Sequence, residues 1–149
     1  MLMHALCLLV TIQLPRGVVG EAAPSLEGVR WVAGVDEEPP EIRVGEVTCL
    51  FFFQSWCPGC HSHGFPTLAQ LHAQYKDEVT FVAVQTVFEG YASNTPQRAV
   101  EAVASFDLAI PVGQDGERQR RSLLMGRYRS GGTPWTVLID RRGIVRFNG

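Results

Sequence analysis

The sequence predicts a single domain of the α/β class, with a central mixed sheet flanked by helices. Short apolar runs typical of buried strands alternate along the chain with segments whose apolar residues repeat at helical spacing. The length of 149 residues is usual for one compact domain. Apolar residues make up 46% of the chain and charged residues 19%, which is too apolar for a disordered protein. The formal charge of -2 gives no electrostatic reason to expect a nucleic-acid partner.

The first 20 residues differ from the rest, so we divide the chain into an apolar segment, 1–20, and a folded domain, 21–149. "MLMHALCLLVTIQLP" has the length of a signal-peptide core, although it lacks a basic start. Small residues in "VVGEA" would permit cleavage near Gly20. We favour an exported, periplasmic or membrane-anchored protein over a cytoplasmic one, the alternatives being an unstructured extension or an integral strand. Any membrane association would involve residues 1–20 alone.

The first elements of the domain are an expected hairpin, a strand and a helix. "VRWVAG" at 29–34 and "EIRV" at 41–44 flank the turn-rich "VDEEPP" and predict an amino-terminal β-hairpin. "VTCLFFF" at 47–53 is a continuous apolar run, as expected for a strand covered on both faces. The segment 58–75 carries apolar residues at helical spacing and predicts a helix.

The second half continues the alternation of strands and helices. "VTFVAVQTV" at 79–87 predicts another buried strand, and 95–106 predicts a helix capped by Thr95 with Pro96 in its first turn. A short strand follows in "LAIPVGQD". The basic segment 117–129 has apolar residues at helical spacing, which favours a solvated helix over an anion site.

The last two strands form an expected antiparallel pair. "GGTPWTVLID" predicts a strand that starts at a proline, and "GIVRF" predicts its partner across a turn at 141–143. A proline is unfavourable inside a central strand because it cannot donate to the ladder. Pro134 therefore needs a special role, and a cis-proline loop facing the reactive site is one.

The motif "WCPGCHSH" at 56–63 carries the chemistry, and it has three interpretations. Cys57 would cap a helix that begins at Pro58, where free N–H groups and the helix dipole favour a thiolate. Cys60, one turn further in, would resolve a mixed disulfide. Haem attachment fits the C-x-x-C-H spelling but not the flanking strand and helix. A metal site lacks a second ligand pair, although thiolates could bind Cu(I).

Taken together, "FFFQSWCPGC", the strand at 79–87 and "GGTPWTVLIDRRGIV" resemble the thioredoxin superfamily, in particular its TlpA-like and redoxin-type thiol-disulfide oxidoreductases. The resemblance covers residues 22–149. It implies a thioredoxin-like fold and exchange of disulfides with protein thiols and with an upstream redox partner, without an organic cofactor. A peroxiredoxin-like peroxidase is the nearest alternative, but "CLFFFQSW" does not supply the P-x-x-x-T/S-x-x-C setting. A copper metallochaperone using the same cysteines is the alternative from another class.

The resemblance also implies residue roles. Cys57 would be the nucleophile and Cys60 the resolving thiol. Substrate contacts would come from Trp56, Thr133 and Pro134, with Pro134 as the cis-proline. The family often keeps a buried acid near the pair as a proton acceptor, for which Glu89 is our candidate. His61 lies four residues after Cys57, on the same helical face, and could stabilise the thiolate or relay a proton.

The sequence departs from the family pattern in three places. Pro58 and Gly59 reverse the Gly-Pro order of many thioredoxins, which affects the reduction potential. Pro66 falls one residue later than the family's helix-kinking proline, which predicts a local bulge in the helix. A closing helix after the last hairpin is absent from the pattern, so we expect one face of the sheet to be partly bare.

Overall fold

The computed structural model describes residues 18–149, and a mixed sheet of six strands forms its centre. The strands are β1 Arg30–Ala33, β2 Val47–Phe53, β3 Val79–Thr86, β4 Val112–Asp115, β5 Trp135–Ile139 and β6 Val145–Asn148. Their order across the sheet is β1-β4-β3-β2-β5-β6. Strands β2, β3 and β4 run parallel to one another, whereas β1, β5 and β6 each run antiparallel to their neighbours. The carboxyl ends of β2, β3 and β4 therefore meet at one edge of the sheet.

Helices cover both faces of the sheet and enclose two apolar clusters. The helices are α1 Phe65–Tyr75, α2 Pro96–Ala104 and α3 Leu123–Tyr128. Side chains alternate across a strand, so Phe51 and Phe53 of β2 pack under α1 and α2, while Leu50 and Phe52 pack towards α3. This two-sided burial explains why β2 is a continuous apolar run. The predicted strands at 47–53 and 79–87, the cap at Thr95 and the antiparallel pair at the end of the chain are confirmed.

The predicted amino-terminal hairpin is wrong. β1 pairs with β4, and residues 41–43 form no strand. Two features explain this pairing. Pro39 and Pro40 have no N–H groups and cannot donate to a ladder with β1. Gly113 of β4 leaves space beside β1, because a Cβ atom at this position would lie 2.5 Å from Val29 Cγ1 and 3.1 Å from Trp31 Cζ3.

The predicted basic helix is correct only in its second half. Helix α3 begins after Ser122, whose hydroxyl accepts from the Met125 N–H at 3.2 Å. The buried carboxylate of Asp115 accepts from the Ser122 hydroxyl and from the N–H of Leu124, at 2.6 and 2.8 Å. This capping fixes the start of the helix. Residues 117–120 form a turn instead.

The predicted bulge in the helix after the cysteine pair is confirmed. Residues Cys60–Gly64 form a π-helical turn that leads into α1, and the Phe65 N–H donates to the Cys60 carbonyl five residues back. A π turn accommodates one extra residue per turn. This extra residue accounts for the late position of Pro66, which follows in the first turn of α1.

The division of the chain at residue 20 stays a prediction, although residues just before Glu21 contact the folded domain. Val18 is buried in the cluster beneath α3, and the Gly20 N–H donates to the Val145 carbonyl at 2.8 Å. The rest of the segment 1–20, with its proposed signal or anchor and Cys7, lies outside the described residues. None of the helices formed by residues 18–149 has the length and hydropathy needed to cross a bilayer.

The sheet face beside α1 is partly bare at its last two strands, as we expected. Leu138 of β5 and Phe147 of β6 are cross-strand partners on this face and are 37% and 49% exposed.

Candidate active site

The cysteine pair lies where β2 passes into the helix, at the edge of the sheet where the parallel strands end. The Cys57 N–H donates to the Gln54 carbonyl at 3.0 Å, which closes a turn after β2. The helix then begins at Pro58, as predicted. The Cys60 N–H lies 3.2 Å from Cys57 Sγ and donates to it. The sulfur of Cys57 therefore occupies the capping position at the amino terminus of this helix.

The two cysteines differ in their access to solvent. Cys57 is 8% exposed and Cys60 is 0% exposed. The pKa of the Cys60 thiol is raised to about 12. Burial is the largest cause, and the hydrogen bond with Cys57 is the second. Cys60 is therefore a neutral thiol at neutral pH, and Cys57 is the sulfur that a partner can reach. Both are free thiols in this structure, as is Cys49.

The loop before β5 faces the Cys57 sulfur. The Thr133–Pro134 peptide bond is cis, and the Cys57 thiol donates to the Thr133 carbonyl, with 3.5 Å between Sγ and O. The Pro134 ring packs against the helix start, because a Cβ atom at Gly59 would lie 3.4 Å from Pro134 Cδ. The structure thus brings the pair Cys57 and Cys60 together with Thr133 and Pro134, which lie more than 70 residues later in the sequence.

Trp56 lies at the surface beside Cys57. Its side chain is 45% exposed, and its backbone N–H donates to Asn94 Oδ1 at 3.3 Å. The indole packs over Gly90, where an added Cβ would lie 2.9 Å from Trp56 Nε1. Trp56 therefore joins the rim of the site to the loop that follows β3.

His61 is fixed by the turn before the motif. Its Nε2 lies 2.7 Å from the Ser55 carbonyl oxygen and so donates a proton to it, because a carbonyl only accepts. The ring packs against Phe65 and Phe106, with centroids 5.5 and 5.9 Å away. Among residues 18–149, neither sulfur has a hydrogen bond with this imidazole.

Glu89 lies on the loop after β3 and is exposed. The Glu89 carbonyl accepts from Asn94 Nδ2 at 2.9 Å, so the residue supports the site through its backbone. The resemblance implies a buried acid, but in the described part of the chain Asp115 is the buried carboxylate, and it caps α3. A role for the Glu89 carboxylate in proton transfer stays a prediction.

A network of buried amide side chains supports the active-site loop, and our sequence analysis missed it. Gln85 Oε1 accepts from the N–H of Ser55 at 2.8 Å and also from its hydroxyl. Gln85 Nε2 donates to Gln114 Oε1 at 2.8 Å, and Asn94 Nδ2 donates to Gln54 Oε1 at 3.2 Å. All four amides are buried. In the sequence each glutamine follows an apolar run at the carboxyl end of a strand, but the sequence does not show that the three side chains meet.

Metal binding finds little support in the geometry of the site. No group of three or more His, Cys, Asp or Glu side chains within residues 18–149 is placed to hold a metal ion. The two histidines of the motif are engaged elsewhere: His61 at the Ser55 carbonyl, and the exposed His63 at Ser62 Oγ, 2.7 Å away.

Comparison with solved structures finds the same fold in thioredoxin-like proteins. A thioredoxin-like superfamily protein is 29% identical with a TM-score of 0.76, over 86% of this chain and 84% of that one. A thiol-disulfide isomerase from Corynebacterium glutamicum is 33% identical with a TM-score of 0.71, over 85% of each chain. A candidate thiol:disulfide interchange protein DsbE from Chlorobium tepidum is 26% identical with a TM-score of 0.65, over 87% and 83%.

Comparison with family models identifies the chain more directly. A search of curated proteins found no match. The Redoxin family model matches residues 19–149, which is nearly the whole described region and includes both cysteines and the cis-proline loop. The chain therefore belongs to the Redoxin family, has the thioredoxin-like fold and is an oxidoreductase of the thioredoxin type.

Proposed function

We propose that the protein exchanges disulfides with protein partners through the dithiol of Cys57 and Cys60. The observation that carries the proposal is the pairing of a reachable sulfur with a buried one. Cys57 caps a helix and faces the Thr133 carbonyl, while Cys60, one turn later, is fully buried and remains a thiol. An accessible nucleophile backed by a protected second thiol is the arrangement that two-step exchange requires.

In the reducing direction, the Cys57 thiolate attacks one sulfur of the substrate disulfide. A bond forms between Cys57 Sγ and that sulfur, the substrate S–S bond breaks, and the other substrate sulfur leaves as a thiolate that takes a proton from solvent. Cys60 then attacks Cys57 Sγ, its proton passing to the departing second substrate sulfur. Two electrons move from the protein to the substrate, and a reduced dithiol partner must restore them.

Substrate contacts in this proposal come from the surface around Cys57. The Thr133 backbone lies against the Cys57 sulfur, and Pro134 fixes the direction of that loop. Trp56 supplies exposed aromatic area next to the reacting sulfur. An extended peptide bound across these residues would have its disulfide held at Cys57. His61 and Glu89 remain candidates for proton transfer to solvent.

The exchange with proteins is tested by replacing the resolving thiol. Cys60→Ser keeps the nucleophile but removes the second attack, so we expect it to accumulate mixed disulfides with a reducible protein such as insulin. These adducts should appear on non-reducing gels, map to Cys57 by mass spectrometry and disappear with dithiothreitol. The Cys57→Ser/Cys60→Ser variant is the control and should form none. If Cys60→Ser forms no adducts either, exchange through Cys57 is wrong.

We propose in addition that the protein acts outside the cytoplasm. The support is the sequence of residues 1–20, with its apolar run and the small residues near Gly20. An exported dithiol protein would meet oxidised partners and would need its own reductant. Fractionation of cells that express the full chain would locate it.

A further inference from the structure

A cavity of about 450 Å³ opens at the edge of the sheet that carries the active site. The elements around it are β1, the end of β4, the loop before α2 and the turn at residues 116–120. The sequence predicts that the arginines of that turn lie on one face of a solvated helix. Because the turn replaces the first half of the helix, those arginines instead lie with Arg30 of β1 around one opening.

The lining of the cavity is basic. Three arginines, Arg30, Arg118 and Arg120, line it with one acidic residue, Glu117, and the buried carboxylate of Asp115 lies against Arg120, which leaves a formal charge of +1 in a chain of charge -2. Arg120 is already engaged, 3.6 Å from Asp115 Oδ1 and 3.7 Å from Glu117 Oε1. Within residues 18–149, the guanidinium groups of Arg30 and Arg118 make no ion pair and no side-chain hydrogen bond.

These two guanidinium groups favour carboxylate ligands. Each presents a planar fork of N–H donors that matches a carboxylate. The amino terminus of α2, at Thr95 and Pro96, also lines the cavity and adds the positive end of a helix dipole. At about 450 Å³ the space is large enough for side chains of a peptide and much larger than a single small ion needs.

The cavity is connected to the active site through buried amides. Asn94 lines it and holds the backbone N–H of Trp56, the residue before Cys57. Gln114 also lines the cavity, and its Oε1 accepts a hydrogen bond from Gln85 Nε2. Gln85 Oε1 in turn accepts from the backbone N–H of Ser55. Adjacent strands lie about 4.8 Å apart, so the end of β4, which precedes Arg118, is about 10 Å from the end of β2, and β1, which carries Arg30, is about 14 Å from it. Three or four residues of extended peptide span about 10–14 Å.

We propose that this cavity is a subsite that binds acidic side chains of the substrate. It selects protein disulfides whose reacting cysteine lies three or four residues from an Asp or a Glu. The inference rests on the proposed function and names its substrate class. A substrate held at Cys57 places its acidic side chains between Arg30 and Arg118, while the exchange itself proceeds at the sulfurs as described above.

The test compares two disulfide-linked peptides that differ only in having Glu or Gln three and four residues on either side of the attacked cysteine. Single-turnover reduction by the reduced protein measures attack by Cys57. We expect the Glu peptide to react about fivefold faster at low ionic strength, since two exposed ion pairs contribute modestly. The ratio should approach one in 0.5 M NaCl, because salt screens these charges.

Arginine variants assign the preference to the cavity. Arg30→Gln/Arg118→Gln removes both charges but keeps most of each aliphatic side-chain stem. This variant should reduce the Glu and Gln peptides at the same rate, equal to the rate at which the native protein reduces the Gln peptide. Arg141→Gln is the matched control: this exposed arginine lies in the β5–β6 turn, at the opposite end of the sheet, and the preference should persist.

Two results would overturn the inference while leaving the proposed function intact. One is equal reduction of both peptides by the native protein, and the other is a preference that survives in Arg30→Gln/Arg118→Gln. If the reduced native protein reduces neither peptide nor insulin, the proposed function itself is wrong, and the subsite is wrong with it.

Discussion

Replacing Cys57 with serine is expected to lower the rate of insulin reduction by at least about a thousandfold, to the background of dithiothreitol alone. Cys57 is the sulfur of the pair that reaches solvent, and a serine hydroxyl at neutral pH is not a nucleophile towards a disulfide. The fully buried Cys60 cannot replace it, because its pKa of about 12 keeps it protonated and its partners cannot reach it.

Cys49 provides the matched control for this loss. It is 1% exposed in the middle of β2, and burial raises the pKa of its thiol to about 12. Cys49→Ala also removes one cysteine, but we expect its turnover to stay within about twofold of the native protein, since a buried structural thiol is inert. Equal loss of activity in both variants would show that folding, and not the nucleophile, was affected.

Gly64→Ala is expected to lower both stability and activity. A Cβ atom there would lie 2.8 Å from Phe51 Cζ and 2.8 Å from Pro134 Cβ. The Phe51 ring is buried between Phe53 and Phe65, so neither neighbour moves freely. Overpacking costs about 1–3 kcal/mol, and the better helix propensity of alanine offsets roughly 1 kcal/mol of it.

We therefore expect the free energy of unfolding to fall by up to about 2 kcal/mol in urea titrations. Pressure on Pro134 also displaces the loop that faces Cys57, so kcat/KM for insulin should fall by about tenfold. Gly126→Ala is the matched control in α3, where no atom lies within 4 Å of the added Cβ. It should stabilise the protein by about 0.5–1 kcal/mol without changing activity. Native stability and native turnover in Gly64→Ala would contradict this packing argument.

The sequence predicted the inner part of the fold well, because burial on two faces leaves a strong pattern. β2 and β3 consist mostly of apolar residues, and the caps of the helices use residues whose chemistry is local, such as Thr95. The bulge could be predicted as well, since the displaced Pro66 records the extra residue of the π turn.

The errors concern features that depend on distant partners. Nothing local in 29–34 shows that β1 pairs with β4, more than 75 residues later, where Gly113 makes space for Trp31. The early part of the basic segment lacks its helix because the carboxylate of Asp115, on another element, caps α3 at Ser122.

The same distinction applies to the site. The proximity of Cys57 and Cys60 to the Thr133–Pro134 loop could be predicted, because the motif and the proline are unusual in their settings. The amide network was not, since a lone glutamine at the end of a strand gains meaning only when parallel strands bring Gln54, Gln85 and Gln114 together.

A redox titration of the purified protein tests the central claim most directly. The protein is equilibrated in glutathione and dithiothreitol buffers, and each thiol is then identified by alkylation and mass spectrometry. We predict one reversible two-electron transition, confined to Cys57 and Cys60, with a midpoint between about -270 and -120 mV and with Cys49 reduced throughout. If Cys57 and Cys60 never form a disulfide with each other, or do so only after a bound metal is removed, the dithiol account is wrong.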